Sequence, residues 1–118
     1  MEIRSRGMLL RVFVGESDRA GHVPLYEAIV REARAAHLAG ATAWRGMLSY
    51  GATARIRTAK VLDLSTDLPM VVEIVDEEEK LRAFLPTLER LFEESGSGGL
   101  MTLENVEVIR YKPGNGSG

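Results

Sequence analysis

Four short aliphatic segments and two amphipathic helical segments, in the order βαββαβ along 118 residues, predict an α+β chain. Each βαβ half has to join its two strands through a crossover helix. The right-handed rule for such crossovers leaves few ways to set four strands side by side with both helices on one face. The length suits one domain, and with no cysteine the core must hold by packing alone. A ferredoxin-like sandwich is the arrangement that satisfies these conditions.

Residues 8–14 are short, aliphatic and closed by Gly15, which predicts a strand covered on both faces. Across residues 24–38, Leu25, Ala28, Ile29, Ala33 and Ala36 fall on one side of a 3.6-residue period. Pro24 suits a first helical position there and Gly40 a C-terminal cap. Residues 43–50 carry Trp44, Met47, Leu48 and Tyr50 around Gly46 and read as a strand bent at the glycine. Strand signals at 60–64 and 69–75 flank the turn residues Ser65, Thr66 and Asp67, consistent with one long strand bulged in the middle. Asp76, with Glu79 three residues on, fits a helix N-cap, and Leu81, Phe84, Leu85, Leu88, Leu91 and Phe92 keep helical spacing. Pro86 conflicts with a helix interior, because it removes a hydrogen bond to the Arg82 carbonyl at a cost of roughly 3 kcal/mol. A kink or two short helices is therefore expected. After the Ser/Gly loop at 95–99, residues 100–103 and 106–111 supply strand patterns separated by Glu104 and Asn105.

Two helices cover only one face of a sheet, yet alternate positions of 9–13 and 71–75 are apolar on both sides. Cover for the second face is expected from other subunits of a closed homo-oligomer. Residues 1–7 are polar and without a period, and 113–118 are turn and linker residues, so the folded unit is expected over 8–112 with loose ends. With 27% charged residues and a formal net charge of -2, the chain has no general attraction for nucleic acid. No apolar stretch approaches the roughly 20 residues of a membrane span, and 8–14 is too short for a signal-peptide core. A cytoplasmic protein without direct membrane insertion is the expectation. His22 and His37 lie far apart, so a transition-metal site has little to be built from.

Candidate binding residues fall in separate places. Gly96, Ser97, Gly98 and Gly99 offer consecutive backbone N–H groups with little side chain in the way, a composition able to form an anion nest. The loop follows a helix and so faces the negative end of its dipole; basic side chains must supply the field. Arg110 and Lys112 have the period-two spacing that points both to one face of a strand, where they could grip a di- or triphosphate. Gly46, Met47, Leu48, Ser49 and Tyr50 combine close backbone approach with apolar side chains able to cover a base. Arg55 and Arg57, in or beside the following loop, are either solubilising charges or phosphate contacts. Taken singly, a Gly/Ser loop is more often a plain connection, and a pair of cations a charged strand edge. Glu16 and Asp18 bring two carboxylates together after the first strand. They could do acid–base work or hold a hydrated divalent ion, although bonding to local backbone is the commoner use.

Five separated runs, LRVFVGESD (10–18), PLYEAIV (24–30), GATAWRGMLSYG (40–51), LPMVVEIVD (68–76) and VEVIRY (106–111), together closely resemble the PII-like family catalogued as domain of unknown function 190. The likeness covers nearly all of 8–112. It implies a ferredoxin-like subunit assembled as a homotrimer, with adenine nucleotides in clefts between neighbours. It also implies an association with ion-transport membrane proteins, fluoride exporters among them, and hence a regulatory role. More distantly the chain is similar to the PII nitrogen-regulatory signalling proteins. That similarity lays their base-contacting strand end on residues 45–50, their glycine-rich phosphate loop on 96–99, and their two basic residues on Arg110 and Lys112. Three places that are bland one by one thereby line one expected cleft. The basic residue of the PII phosphate loop is absent where Gly99 and Leu100 stand, so ADP or AMP is as much expected as ATP. The large PII loop is cut down to about 51–58, so uridylylation and PII-type target docking are not carried over.

The expectation is a non-catalytic signalling protein that binds ADP, AMP or ATP, with no obligatory cofactor and magnesium as a compatible companion. The alternative is a phosphatase or nucleotide hydrolase on the same fold, using Glu16 or Asp18 with an arginine as charge stabiliser. A third reading is a structural oligomer with no small ligand.

Overall fold

The computed structural model describes residues 6–50, 57–58, 68–112 and 114. Its main elements are β1 (Gly7–Gly15), α1 (Leu25–Ala35), β2 (Ala41–Arg45), β3 (Pro69–Asp76), α2 (Glu78–Ser95) and β4 (Leu100–Val106). The strands form one antiparallel sheet in the order β2–β3–β1–β4, the ferredoxin-like arrangement expected from the sequence. Two further ladders are two residues long: Arg19–Ala20 with Val23–Pro24, and Leu48–Ser49 with Arg57–Thr58. The expected strand signal at 60–64, with its bulge at 65–67, lies outside the described residues.

Period-two alternation decides which side chains meet the helices. Met8, Leu10, Val12 and Val14 of β1 and Met70, Val72 and Ile74 of β3 pack in one cluster with Leu25, Ala28, Ile29 and Ala33 of α1 and Leu81, Phe84, Leu88 and Leu91 of α2. Register locks this face into cross-strand sets: Leu10 opposes Ile74 and Leu103, and Val12 opposes Val72 and Met101. Each fully buried aliphatic side chain contributes about 1.5–3 kcal/mol, so a one-residue slip that turned the set outward would forfeit most of the core.

The helix ends differ from expectation in instructive ways. Gly40 does not cap α1. His37 takes the left-handed conformation (φ 60°), its N–H bonding the Arg34 carbonyl while that of Leu38 bonds Ala33, so the turn closes three residues earlier than the glycine. Asp76 is not an N-cap either, since α2 starts at Glu78 after Glu77. Instead Asp76 is fully buried at the end of β3, where Oδ1 accepts the Glu77 N–H at 2.7 Å and Oδ2 the Ala39 N–H at 2.9 Å. It thereby ties the approach to β2 to the end of β3. Pro86 lies within a single helix, not between two short ones. Its ring is solvent-exposed, which leaves the unbonded Arg82 carbonyl turn facing water.

The sheet's other face is crossed by rows of cross-strand partners. Trp44, Val71, Phe13 and Leu100 form an apolar row over all four strands, with Trp44 52%, Phe13 37% and Leu100 57% exposed. The next row is Thr42, Glu73, Arg11 and Thr102. Within it Arg11 Nε donates to Glu73 at 2.7 Å, and its NH1 pairs with Glu104 diagonally across. Trp44 Nε1 donates to the second Glu73 oxygen at 3.2 Å. The hydrogen bond to Glu73 and the nearby charges of Glu104 and Glu73 raise the Arg11 guanidinium above its usual value, against a lowering by burial. Beyond this row lie Leu9 and Val75, which face each other.

Residues 107–112 correct the expected strand at 106–111. β4 ends at Val106, opposite Gly7, where β1 begins. The chain continues as a strap over the open face. Val108 and Tyr111 line, with Leu9 and Val75, an open pocket of about 450 Å³, and the Tyr111 hydroxyl donates to the Ala39 carbonyl at 2.7 Å.

Asp76→Ala leaves two backbone donors without their carboxylate, so it should lower stability by about 2–4 kcal/mol in urea titration. Asp76→Asn, which keeps one acceptor, should cost less. A loss below about 0.5 kcal/mol for the alanine variant would contradict this role.

Candidate functional site

Register sorts the candidate residues by the end of the sheet they occupy. Arg45 opposes Met70, Gly15 opposes Pro69, and Phe13 opposes Leu100, so β2 and β1 finish where β3 and β4 begin. Gly46 stands at this end on the β2 edge. Its N–H donates to the Pro69 carbonyl at 2.7 Å, and a Cβ there would come 2.9 Å from Pro69 Cγ, a close approach that only glycine permits. The expected strand over 43–50 breaks here, with β2 ending at Arg45 and Leu48–Ser49 pairing instead with Arg57–Thr58. Met47 and Tyr50 are 78% and 75% exposed, two large side chains free to lie against a flat ligand. Arg57 is placed by its backbone opposite Ser49, while Arg55 lies outside the described residues.

The glycine loop occupies the same end on the opposite edge, after α2. Gly96 is the left-handed cap of that helix (φ 69°), and its N–H is taken by the Phe92 and Glu93 carbonyls. The Ser95 and Ser97 hydroxyls bond each other at 2.6 Å. An anion would therefore use the N–H groups of Ser97, Gly98 and Gly99. At Gly99 a Cβ would overlap the Phe92 ring and come 3.0 Å from the Phe13 carbonyl, so the missing side chain lets the loop turn tightly into β4. Gly98 has open space around it.

Arg110 and Lys112 do not share a strand face, as the period-two reading expected; they lie on the strap, on either side of the anchored Tyr111. Tyr111 reaches Ala39, just before β2 begins, so these cations stand at the opposite end of the sheet from Gly46 and the glycine loop. The nine residues of β1 span that distance, roughly 26 Å from first to last at a rise of about 3.3 Å per step.

The two carboxylates of the hydrolase alternative are held in structural contacts. Glu16, largely buried, receives Arg45 Nε at 2.8 Å and NH2 at 2.6 Å, and its backbone N–H donates to the Leu68 carbonyl. Asp18 accepts the Gly15 N–H at 2.7 Å and bonds Leu25 N–H through its own carbonyl, shaping the turn into α1. Sequence reading missed the Glu16–Arg45 pair, whose members are 29 residues apart and carry no shared motif, and it missed Tyr111 as the strap's anchor. No group of three or more His, Asp or Glu among the described residues is placed to hold a metal ion.

The fold is that of the PII-like proteins of known structure. CPII from Thiomonas intermedia K12, a nitrogen regulatory PII-like protein solved with ADP, AMP and bicarbonate, superposes with a TM-score of 0.67 at 14% identity, over 89% of this chain and 90% of that one. A Thermus thermophilus protein described as a PII-like signaling protein does so with a TM-score of 0.60 at 18% identity, over 91% and 94%. The chain belongs to the DUF190 family, described as "Uncharacterized ACR, COG1993", whose profile matches residues 7–108. Among its relatives are a UPF0166 protein of Aquifex aeolicus, 42% identical over 86% of this chain and 91% of that one, and one of Methanocaldococcus jannaschii, 26% identical over 89% and 94%.

The contrast between neighbouring glycines is directly testable. Gly99→Ala should destabilise the protein by about 1–3 kcal/mol through overlap with Phe92. Gly98→Ala should stay within about 0.5 kcal/mol of the natural chain in the same thermal or urea titration. Equal effects would show that the loop does not pack on α2 as described.

Proposed function

We propose that the protein is a homotrimeric, non-catalytic regulator that binds ADP, AMP or ATP in clefts between neighbouring copies. The reading rests on one observation above all: a chain with the fold of CPII, which is solved with ADP and AMP, keeps its glycine loop and its strap cations at opposite ends of one sheet. Arg110 and Lys112 of one copy are too far from Ser97–Gly99 of the same copy to share a phosphate chain. A neighbour rotated about a common axis brings the two halves together. The exposed apolar row through Trp44, Phe13 and Leu100 supplies the surface on which such neighbours pack.

In this cleft Met47 and Tyr50 cover the base, with Gly46, Leu48 and Ser49 forming the backbone wall. The N–H groups of Ser97, Gly98 and Gly99 receive phosphate oxygens. That loop follows the negative end of α2, so its field is unfavourable to an anion, and Arg110, Lys112 and Arg57 supply the compensating charge. Arg55 belongs to the same proposed set. Magnesium accompanies the nucleotide only as a phosphate-bound ion, since the described residues offer no carboxylate cluster for it. Glu16 and Asp18 are occupied with Arg45 and with backbone, which leaves neither free as a general base and favours sensing over hydrolysis. The listener is a partner protein, of which a membrane ion transporter is the proposed class.

Titration calorimetry with AMP, ADP and ATP tests this reading. At least one nucleotide should bind, and Arg110→Ala combined with Lys112→Ala should weaken ADP by about tenfold or more, equivalent to about 1.4 kcal/mol, without altering the far-ultraviolet circular dichroism. No heat with any of the three at about 0.1 mM protein would overturn it.

A further inference from the structure

We infer that the Tyr111 hydroxyl is a positioning group for phosphate: it sets the places of Arg110 and Lys112 through a relay from Tyr111 to Ala39 and from Ala39 to the buried Asp76 carboxylate. The inference rests on the nucleotide-binding reading above and deepens it, naming two side chains outside the proposed contacts on which those contacts depend.

The two cations lack side-chain partners of their own. Arg11, Arg31, Arg45, Arg82 and Arg90 are each held by a glutamate, whereas no carboxylate among the described residues pairs with Arg110 or Lys112. Both are exposed, so the backbone that carries them decides where they stand. That backbone has left the sheet, since β4 ends at Val106. Among the described residues the Tyr111 hydroxyl makes the one hydrogen bond that ties 107–112 to the rest of the chain, donating to the Ala39 carbonyl at 2.7 Å. The Cα of each cation lies one trans peptide, about 3.8 Å, from that of Tyr111, so anchoring one residue places both.

The acceptor is itself held from behind. Asp76, fully buried at the end of β3, receives the Ala39 N–H on Oδ2 at 2.9 Å and the Glu77 N–H on Oδ1 at 2.7 Å. The turn just before Ala39 is closed by the His37 and Leu38 N–H groups, which bond the Arg34 and Ala33 carbonyls in the last turn of α1. Ala39 therefore presents its carbonyl from a peptide fastened to β3 and α1, and the strap is moored to the framework of the fold. A buried carboxylate that receives two backbone donors is a firm tether, because its removal leaves both unsatisfied.

Pre-organisation is what this arrangement gives a phosphate. Ordering free backbone costs entropy at every residue, and a ligand that had to gather two loose cations would lose affinity accordingly. With Tyr111 moored, the ordering is complete before the ligand arrives. A neutral hydrogen bond shifts an equilibrium by roughly three- to tenfold, which sets the size of the effect. Phenylalanine removes the hydroxyl and keeps the ring, and so separates positioning from stacking on a base.

The test reads the strap and the ligand separately in the full chain. Trypsin at low concentration cuts the Arg110–Tyr111 bond when the strap comes away, and mass spectrometry follows the release of residues 111–118. Tyr111→Phe should speed that release by about three- to tenfold with unchanged circular dichroism. Asp76→Asn, which leaves the scissile bond as it is, should speed it as well; release at the natural rate in that variant would overturn the relay. In titration calorimetry Tyr111→Phe should weaken ADP by about three- to tenfold, but by less than about twofold in the Arg110→Ala/Lys112→Ala background, where no cations remain to be placed. Either release or ADP affinity within about twofold of the natural chain in Tyr111→Phe would overturn the inference. An equal loss of ADP affinity in both backgrounds would overturn it too, by setting Tyr111 against the ligand itself. A natural chain that binds no nucleotide, with release still quickened by Tyr111→Phe, would remove the proposed function and with it the task assigned to the hydroxyl, while leaving the mooring of the strap in place.

Discussion

Two helices can cover one face of a four-stranded sheet, and that asymmetry governs the rest of this molecule. On the covered face, β1 and β3 place Leu10, Val12, Val72 and Ile74 at full burial against both helices. The open face carries, from the same strands, an exposed apolar row through Trp44, Val71, Phe13 and Leu100 beside a polar row in which Arg11 and Glu73 pair. The protein deals with one end of it internally, by laying the strap over Leu9 and Val75. It leaves the other end, with Trp44, Phe13 and Leu100, uncovered. In the proposed assembly the ligand and the neighbouring copy answer the same geometric fact: one subunit presents half a site and half an interface.

Much of the fold was legible because burial and periodicity speak locally. Alternation in residues 8–14 and 69–75 marks strands, and the spacing of Leu81, Phe84, Leu88 and Leu91 marks a helix strong enough to run through Pro86 with the ring facing solvent. The failures are positions where a partner elsewhere decides. Val-Glu-Val-Ile-Arg-Tyr alternates like a strand, but β1 begins at Gly7 and the ladder stops at Val106. Asp76 has the composition of a cap and the position of a tether, because Ala39, 37 residues away, supplies its second donor. His37 takes over the left-handed cap that the composition assigned to Gly40.

The candidate site was legible as residue types and not as an arrangement. Gly46 and Gly99 stand out in the sequence as flexible residues, yet each is demanded by a wall, Pro69 in one case and Phe92 in the other. The Arg45–Glu16 pair beside Gly46 has no local signature at all. The two cations were read as neighbours on a strand, and their position on a strap changes what they can do. In the proposed reading, a nucleotide that draws on Arg110 and Lys112 acts on the same segment that shelters Leu9 and Val75, so ligand and open face are coupled through one short stretch of chain. The coupling can be no larger than the ligand's difference in affinity between this placement of the strap and any other it adopts.

If each site takes its glycine loop from one copy and its cations from the next, subunit complementation measures this directly. Chains carrying Arg110→Ala and Lys112→Ala, unable to neutralise phosphate, are unfolded and reassembled with chains carrying Gly98→Asp, which places a negative charge in the loop at a position with room for it. Each variant alone should bind ADP at least about tenfold more weakly than the natural chain. At random assembly the mixture should regain about a quarter of the natural sites, because that share of clefts pairs an intact loop with intact cations. No recovery in mixed oligomers of verified composition, when the natural chain binds ADP, would contradict a site shared between copies.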